Sequence, residues 1–295
     1  PVDSPNDEFD AYRSMVALKK IATTDISHAI VRRDWTSGTQ YDEYRHNYAS
    51  GNTASTGATT LWDSLFYVVT DDYNVYKCIS NGTADGSAAN ASTVKPDHTT
   101  LATPTESDQY QWKYMYSISA SDVIKFVTND FIPVKTLGAQ LAVAGGVDNQ
   151  AGNQDGRLGD AATDDGSAQW DVENGAVDGA LDKVRIKAAG SGYTASTTTS
   201  SIAIRGDGAS GVAQVVTDGS GNVSDVNITT AGSGYTYAYI NDDDIGGSSR
   251  EQASDGTNST ANIEFIIQPK NGHGADPVEE LGGNYVILNL SLIHI

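Results

Sequence analysis

The hexapeptide AGSGYT occurs twice in this chain, at 189–194 and at 231–236, a spacing of 42 residues. Each copy follows a short strand-like alternation, in which Val184 and Ile186 match Val226 and Ile228. The first copy leads into SSIAIRGDGASGVAQVV. The second leads into YAYI, a polar insert and ANIEFIIQ. This is the signature of a repeated supersecondary unit: strand, turn, strand, loop, strand. Gly190, Gly192, Gly232 and Gly234 are expected to supply the positive φ values of tight turns, with Tyr193 and Tyr235 folding back over their own hairpins. A ligand loop needs other residues. A dinucleotide fingerprint wants a third glycine and a helix, and a phosphate loop wants Gly-Lys-Ser/Thr. Here β-favouring residues follow and no lysine does, so the motif is architecture and implies no cofactor.

The rest of the chain points the same way. Its 295 residues suggest more than one domain, and 30 glycines with only 38% hydrophobic residues suggest many turns and few long helices. The fold class expected is mainly β with a few short helices (α+β), in a multidomain chain. Phe9, Tyr12, Met15, Val16 and Lys19 share helical spacing near the start. The stretches 61–70 and 73–80 read as strands paired around Asp71–Asn74. QWKYMYSI reads as another strand, with Trp112, Tyr114 and Tyr116 on one face. Ser119 and Asp122 have capping-box spacing before a short helix. Residues 138–180 are rich in Gly, Asp, Asn and Gln and read as a long exposed loop or linker. The expected division is a first domain over 1–137, the linker over 138–180, a β repeat domain with its two Gly-Ser-Gly-Tyr-Thr units over 181–270, and a strand within 271–295 returning to the first domain.

Eighteen basic against 38 acidic residues give a net charge of −20. A surface this negative repels phosphate backbones and anionic lipids, so nucleic-acid and membrane partners are disfavoured. Such charge serves solubility or complements a basic partner in an assembly. Cys78 is the sole cysteine, which forbids an intrachain disulfide and fits a reducing compartment. No apolar run approaches the roughly 18 residues of a membrane span, and no signal peptide is visible. The start at Pro1, without methionine, reads as a fragment or a processed form, and the closing SLIHI as a native strand end or a scar.

Chemistry-bearing patterns are weak. His28, His46, His98, His273 and His294 are scattered without ligand spacing. The loop DGSGNVSD (218–225) lacks the calcium-loop glycine and terminal glutamate, and NDDD (241–244) has the oxygens to hold a cation in principle, but both read better as solvated acids. Neighbouring carboxylates such as Asp42 and Glu43 or Glu279 and Glu280 arise by chance in an acidic chain. No nucleophile elbow appears. Arg205-Gly206-Asp207 spells an adhesion tripeptide by chance. No catalytic, metal or cofactor-binding residue is therefore assigned. The 15 tyrosines and four tryptophans carry more weight. Such side chains are favoured at protein interfaces, although they equally pack sheets.

Three segments, AIVRRDWTSGTQYDEY (29–44), YNVYKCISNG (73–82) and SDQYQWKYMYSISASDVIKF (107–126), together with GHGADPVEELGGNYVILN (272–289), resemble the dimeric baseplate wedge subunit of T-even-like contractile-tailed bacteriophages, in its marine cyanophage form. The repeat region departs from the best-known member. The resemblance implies a structural virion protein and no enzyme: a homodimer in the tail baseplate, assembled in the host bacterial cytoplasm, that binds neighbouring wedge proteins and helps hold the baseplate together. On that reading the first domain is a wedge domain carrying the β repeat as an insert. Arg32, Arg33 and Asp34 form an interface or core ion-pair cluster, against the alternative of a solvated strand end. Trp35, Tyr41 and Tyr44 join them as interface candidates. Two other functions stay open at this point: a tail-borne adhesin for a host glycan or protein receptor, and a polysaccharide depolymerase.

Overall fold

The computed structural model describes residues 5–14, 21–82, 89–137, 166–245 and 260–289. Among the described residues it is mainly β, with four short helices and several small antiparallel sheets, and no barrel. The first helix, α1 (Pro5–Ser14), leaves Phe9 and Tyr12 exposed. Met15, Val16 and Lys19, expected to continue it, lie outside the described residues.

The first unit holds two sheets. In one, β1 (Ile26–Val31) is central, flanked by β5 (Phe131–Val134) and β13 (Tyr285–Leu288). Residue 26 faces 288 and residue 29 faces 285, so the chain beyond the repeat pairs with the first unit's own sheet. In the other, β2 (Tyr67–Val69), β3 (Asn74–Ser80) and β4 (Gln111–Ser117) run as a meander. The β2–β3 hairpin turns at Asp71–Asn74, with Tyr73 at φ 59°. This meander is covered on both faces, so its strands show continuous burial where a half-exposed strand would alternate. One face meets Ile30, Ile132, Leu281 and the first sheet. The other carries Tyr41, Tyr76, Cys78, Trp112 and Tyr114.

Two expectations are corrected here. Tyr116 does not share a face with Trp112 and Tyr114. A bulge opposite Val75 and Tyr76 slips the register by one residue, and a one-residue slip sends a side chain to the opposite face. Tyr116 therefore packs with Phe66 and Ile132, and donates to Pro133 O at 2.8 Å. Secondly, the stretch expected as linker contains helix α3 (Ala168–Asn174). Ser167 caps it by accepting from Trp170 N, and Val172 is fully buried against β4. An apolar residue with a cap three positions before the helix's third residue is a local helix signal, submerged here by its polar surroundings. Residues 138–165 lie outside the described residues. Helix α2 (Ala120–Phe126) forms where expected, with Ser119 Oγ accepting from Asp122 N at 3.2 Å.

The buried Cys78 thiol is fully covered, and burial pushes its pKa well above the usual value. A thiol-specific chromogenic reagent is therefore expected to titrate no sulfhydryl in the native chain and one after denaturation. Rapid labelling of the native chain would show that this part of the core opens.

The repeat unit comprises β6 (Leu181–Ala188), β7 (Thr198–Ala203), β8 (Arg205–Gly206), β9 (Val212–Thr217), β10 (Val223–Thr230), β11 (Ala238–Tyr239) and β12 (Asn262–Ile267). Its two copies exchange strands. The first strand of copy one, β6, pairs with the last strand of copy two, β12. The first strand of copy two, β10, pairs with the last strand of copy one, β9. The registers coincide pair by pair: Val184↔Phe265 answers Val226↔Val215, and Ile186↔Ile263 answers Ile228↔Ala213.

The turns are equally reciprocal. Gly190, Gly192, Gly232 and Gly234 all have positive φ, between 63° and 84°. Tyr193 N donates to Gly221 O at 3.1 Å, and Tyr235 N to Gly179 O at 3.0 Å. Gly179 and Gly221 occupy matching places at φ 56° and 73°, and a Cβ on either would fall within 2.5 Å of the opposing tyrosine's backbone. The Tyr235 ring lies against its own turn, where a Cβ on Gly232 would come within 2.8 Å of it, and the contacts of both tyrosines go further. Each reaches the other copy: Tyr235 Oη accepts from Gly211 N at 3.0 Å, and Tyr193 Oη from Ala261 N at 2.8 Å. A hydroxyl carried into a core finds a partner where an unpaired backbone N–H is available, and here each copy provides it for the other.

Candidate functional site

Where the two units meet, the wall between their cores is the β6–β12 sheet. Ile266 of β12 packs into the first unit's core while Phe265 and Ile267 pack into the repeat's. Strand β6 divides its faces in the same way. Val184 and Ile186 turn to the repeat core, and Lys183, Arg185 and Lys187 turn outward, as a period of two dictates. Those three cations grip the loop that follows β1. Lys183 bonds Glu43, which also accepts from Arg45 Nε at 2.7 Å. Arg185 donates to Asn52 Oδ1 at 3.0 Å and lies 3.4 Å from Glu264 Oε2. Asn47 donates to the other Glu264 oxygen at 2.6 Å. The matching residues of copy two are Asp225, Asn227 and Thr229, all exposed. The basic stripe is thus a property of the copy that docks.

A second polar cluster lies deeper. Lys77, in the otherwise apolar β3, has no exposed side-chain surface and bonds Glu280 at the end of helix α4 (Pro277–Glu280). Glu280 further accepts from Gly274 N at 2.8 Å and Asp276 N at 3.1 Å. Burial alone would raise the Glu280 carboxyl, but Lys77 and His273 beside it hold it down at about 2. Burial also lowers Lys77, with Glu280 opposing. The ammonium sits 4.8 Å over the Tyr44 ring, and His273 meets that ring edge-on at 4.7 Å. His273 Nε2 lies 3.4 Å from Asp182 of β6. Lys113 donates to Leu101 O at 2.7 Å and is lowered to about 8, chiefly by burial and then by Lys77.

The interface candidates separate into two groups. Tyr41 and Tyr44 are buried within the chain, so they are core residues and not outward contacts. Tyr41 Oη accepts from Thr36 N at 2.7 Å, its backbone N donates to Tyr110 Oη at 3.0 Å, and its ring meets Trp112 edge-on. Their position beside Asp42 and Glu43 hid this, because two charges normally mark an exposed segment. Here Asp42 is satisfied by Thr56 and by Leu65 N, and Glu43 by Arg45 and Lys183.

Arg32, Arg33, Asp34 and Trp35 remain partly open. Arg32 Nε donates to Asp34 at 2.9 Å and its Nη1 to Thr128 O at 3.1 Å. Arg33 lies 4.8 Å over the Tyr67 ring and bonds Ser64 O and Trp62 O, tying the 60–65 loop to β1. Trp35 Nε1 donates to Ser92 Oγ at 3.1 Å. Arg32 thus bridges the acid and one backbone carbonyl, while Arg33 serves backbone carbonyls and a ring. The sequence reading missed Lys77 and Glu280. A lysine inside NVYKCIS was the available signal, since a charge on a strand buried on both faces must be paired.

Arg205 and Asp207 are occupied by Asp244 and by Thr236, so the adhesion tripeptide is bound up in turn geometry. In the 218–225 loop Asp218 accepts from Ser220 N and Asn222 N, closing an Asx turn on itself. Among the described residues no group of three or more His, Cys, Asp or Glu side chains is placed to hold a metal ion. A cleft of about 670 Å³ opens between β1, α2 and β5, lined by Thr24, His28, Ser121, Lys125, Phe126 and Lys135 among others. Among the described residues no helix is long and apolar enough to cross a membrane. Comparison of the chain with protein-family models, with curated proteins and with solved structures finds no match.

Proposed function

We propose that this chain is a structural subunit of a bacteriophage tail baseplate wedge, acting as a homodimer that clamps neighbouring wedge proteins in the virion. The observation that carries the reading is how the buried charge is used. Lys77 and Glu280 tie segments 203 residues apart within the first unit, while Lys183 to Glu43 and Arg185 to Asn52 fix the repeat against that unit. Burying ions contributes little net stability, and its best-attested role is to enforce one arrangement. A subunit that transmits force between neighbours needs that single arrangement.

Two further features support it. Three of the four segments that carry the family resemblance come together: Trp35, Tyr76, Cys78, Tyr110, Trp112 and Tyr114 pack in one cluster. The net charge of −20 also suits a basic neighbour in an assembly. The test is light scattering on the purified chain, then co-expression with candidate baseplate proteins and affinity capture. A two-fold dimer that retains at least one wedge protein is the expected outcome. A strict monomer that retains none would overturn the proposal.

A further inference from the structure

The two copies of the repeat provide an internal comparison. Their turns are identical through Thr194 and Thr236, and they diverge at once afterwards. Copy two continues Tyr237-Ala-Tyr239, where copy one has Ala195-Ser-Thr197. Ala238 and Ile240 pack on the repeat core, which leaves Tyr237 and Tyr239 on the solvent side, 57% and 48% exposed. Copy one builds the same turn without these rings, so the fold does not require them. Tyr237 stands in the bend just before β11 and Tyr239 on β11 itself, and two large aromatic side chains held in water this close in the chain offer a platform for a flat or cationic group.

The surroundings select among occupants. Tyr239 faces Arg205 across the β8–β11 pair, and Arg205 is held by Asp244 at 3.0 Å. Asp207 accepts from Thr236 N at 2.8 Å and Tyr237 N at 3.3 Å, which fixes the backbone under the first ring. Asp243, next to Asp244 in the chain, is exposed. Three carboxylates against one guanidinium leave the patch negative, which repels anionic ligands and attracts cations. Rings and carboxylates together suit a guanidinium or ammonium, which gains from the ring face and from the charge.

We propose that the solvent side of β11 and of the bend before it is a docking site for an arginine- or lysine-bearing segment of a partner protein, with Tyr237 and Tyr239 as the stacking rings and Asp207 and Asp244 as the anionic rim. The inference deepens the assembly reading by naming a partner chemistry, and rests on it only for the partner being a protein. The test uses the full chain and a fluorescent octa-arginine peptide, followed by anisotropy at about 0.15 M salt, where loose long-range attraction is screened.

The variant Tyr237→Ala/Tyr239→Thr installs the residues of copy one and leaves the net charge unchanged. It is expected to bind roughly tenfold more weakly, the combined effect of two ring contacts. Tyr237→Phe/Tyr239→Phe keeps both ring faces and is expected to bind within about twofold of the parent, which also controls for any folding defect in the first variant. Unchanged affinity in the first variant, or loss in the second, would overturn the proposal. So would tyrosine-dependent binding of the neutral oligosaccharide maltoheptaose without such binding of the peptide. A chain that binds the peptide through its tyrosines yet is monomeric and captures no baseplate protein would keep this site and lose the wedge reading.

Discussion

Replacing Lys77 by methionine is expected to lower the unfolding free energy by about 3–5 kcal/mol, the cost of leaving one member of a buried ion pair without its partner. The magnitude follows from the site. Glu280 is almost wholly enclosed, and its remaining partners are Gly274 N, Asp276 N and the flank of His273. Two backbone N–H groups do not replace an ammonium in neutralising a buried carboxylate. Lys77→Met/Glu280→Leu should recover most of the loss, because packed apolar groups stand in for a buried pair at little cost.

The same contact sets a pH dependence. The Glu280 carboxyl is held at about 2, below its ordinary 4.5. A depressed folded-state pKa gives stability that is present above the unfolded value and lost as pH falls through the folded one. The gap between the parent chain and Lys77→Met should therefore be full near neutrality and close between pH 4.5 and 2. Urea titrations across that range, with intrinsic tryptophan fluorescence as the signal, measure both effects. A gap under about 1 kcal/mol at neutral pH would mean that the pair is hydrated and structurally idle.

Tyr235→Ala is expected to cost about 3–5 kcal/mol, as for other large aromatic truncations in a core. Its ring is 2% exposed and fills a slot floored by Gly208, where a Cβ would come within 2.4 Å of the ring. Glycine is needed there for that approach, so no neighbouring side chain can collapse into the vacancy. Tyr235→Phe keeps the ring and removes only the hydroxyl that accepts from Gly211 N, at about 1–3 kcal/mol for the stranded N–H. Tyr193→Ala should behave similarly, through Ala261 N. Because the two rings close the same pair of exchanged copies, the double variant should depart from additivity by about 0.5–3 kcal/mol, as coupled neighbours do. Thermal unfolding gives the energies. Amide exchange at β6 and β10 tells whether both copies loosen together, as the reciprocal clasp requires.

Much of the architecture was legible in the amino acids. The β2–β3 hairpin, the Ser119 cap and the left-handed glycines of AGSGYT follow from neighbours a few residues apart, so their energetics are written locally. Tyr116 was assigned the wrong face because a bulge is invisible to alternation counting. Tyr41 and Tyr44 read as outward residues in the sequence because Asp42 and Glu43 look solvated until Thr56, Leu65 and Lys183 arrive from elsewhere in the chain. Helix α3 was masked by the polar composition around it, though Val172 alone would have placed one buried face.

What the residues determined unaided was most of the inventory: the matched β units of the repeat, where they turn, and which face of a strand is apolar wherever no bulge intervenes. Short-range sterics and period-two alternation suffice for that. What only the tertiary structure decided was partnership. The pattern around Val226 would accept either β9 or β12, and a lysine in β3 is stable only because a glutamate 203 residues away closes on it. Pairing depends on which surfaces meet once the chain is compact, and that information is spread over contacts no local window contains.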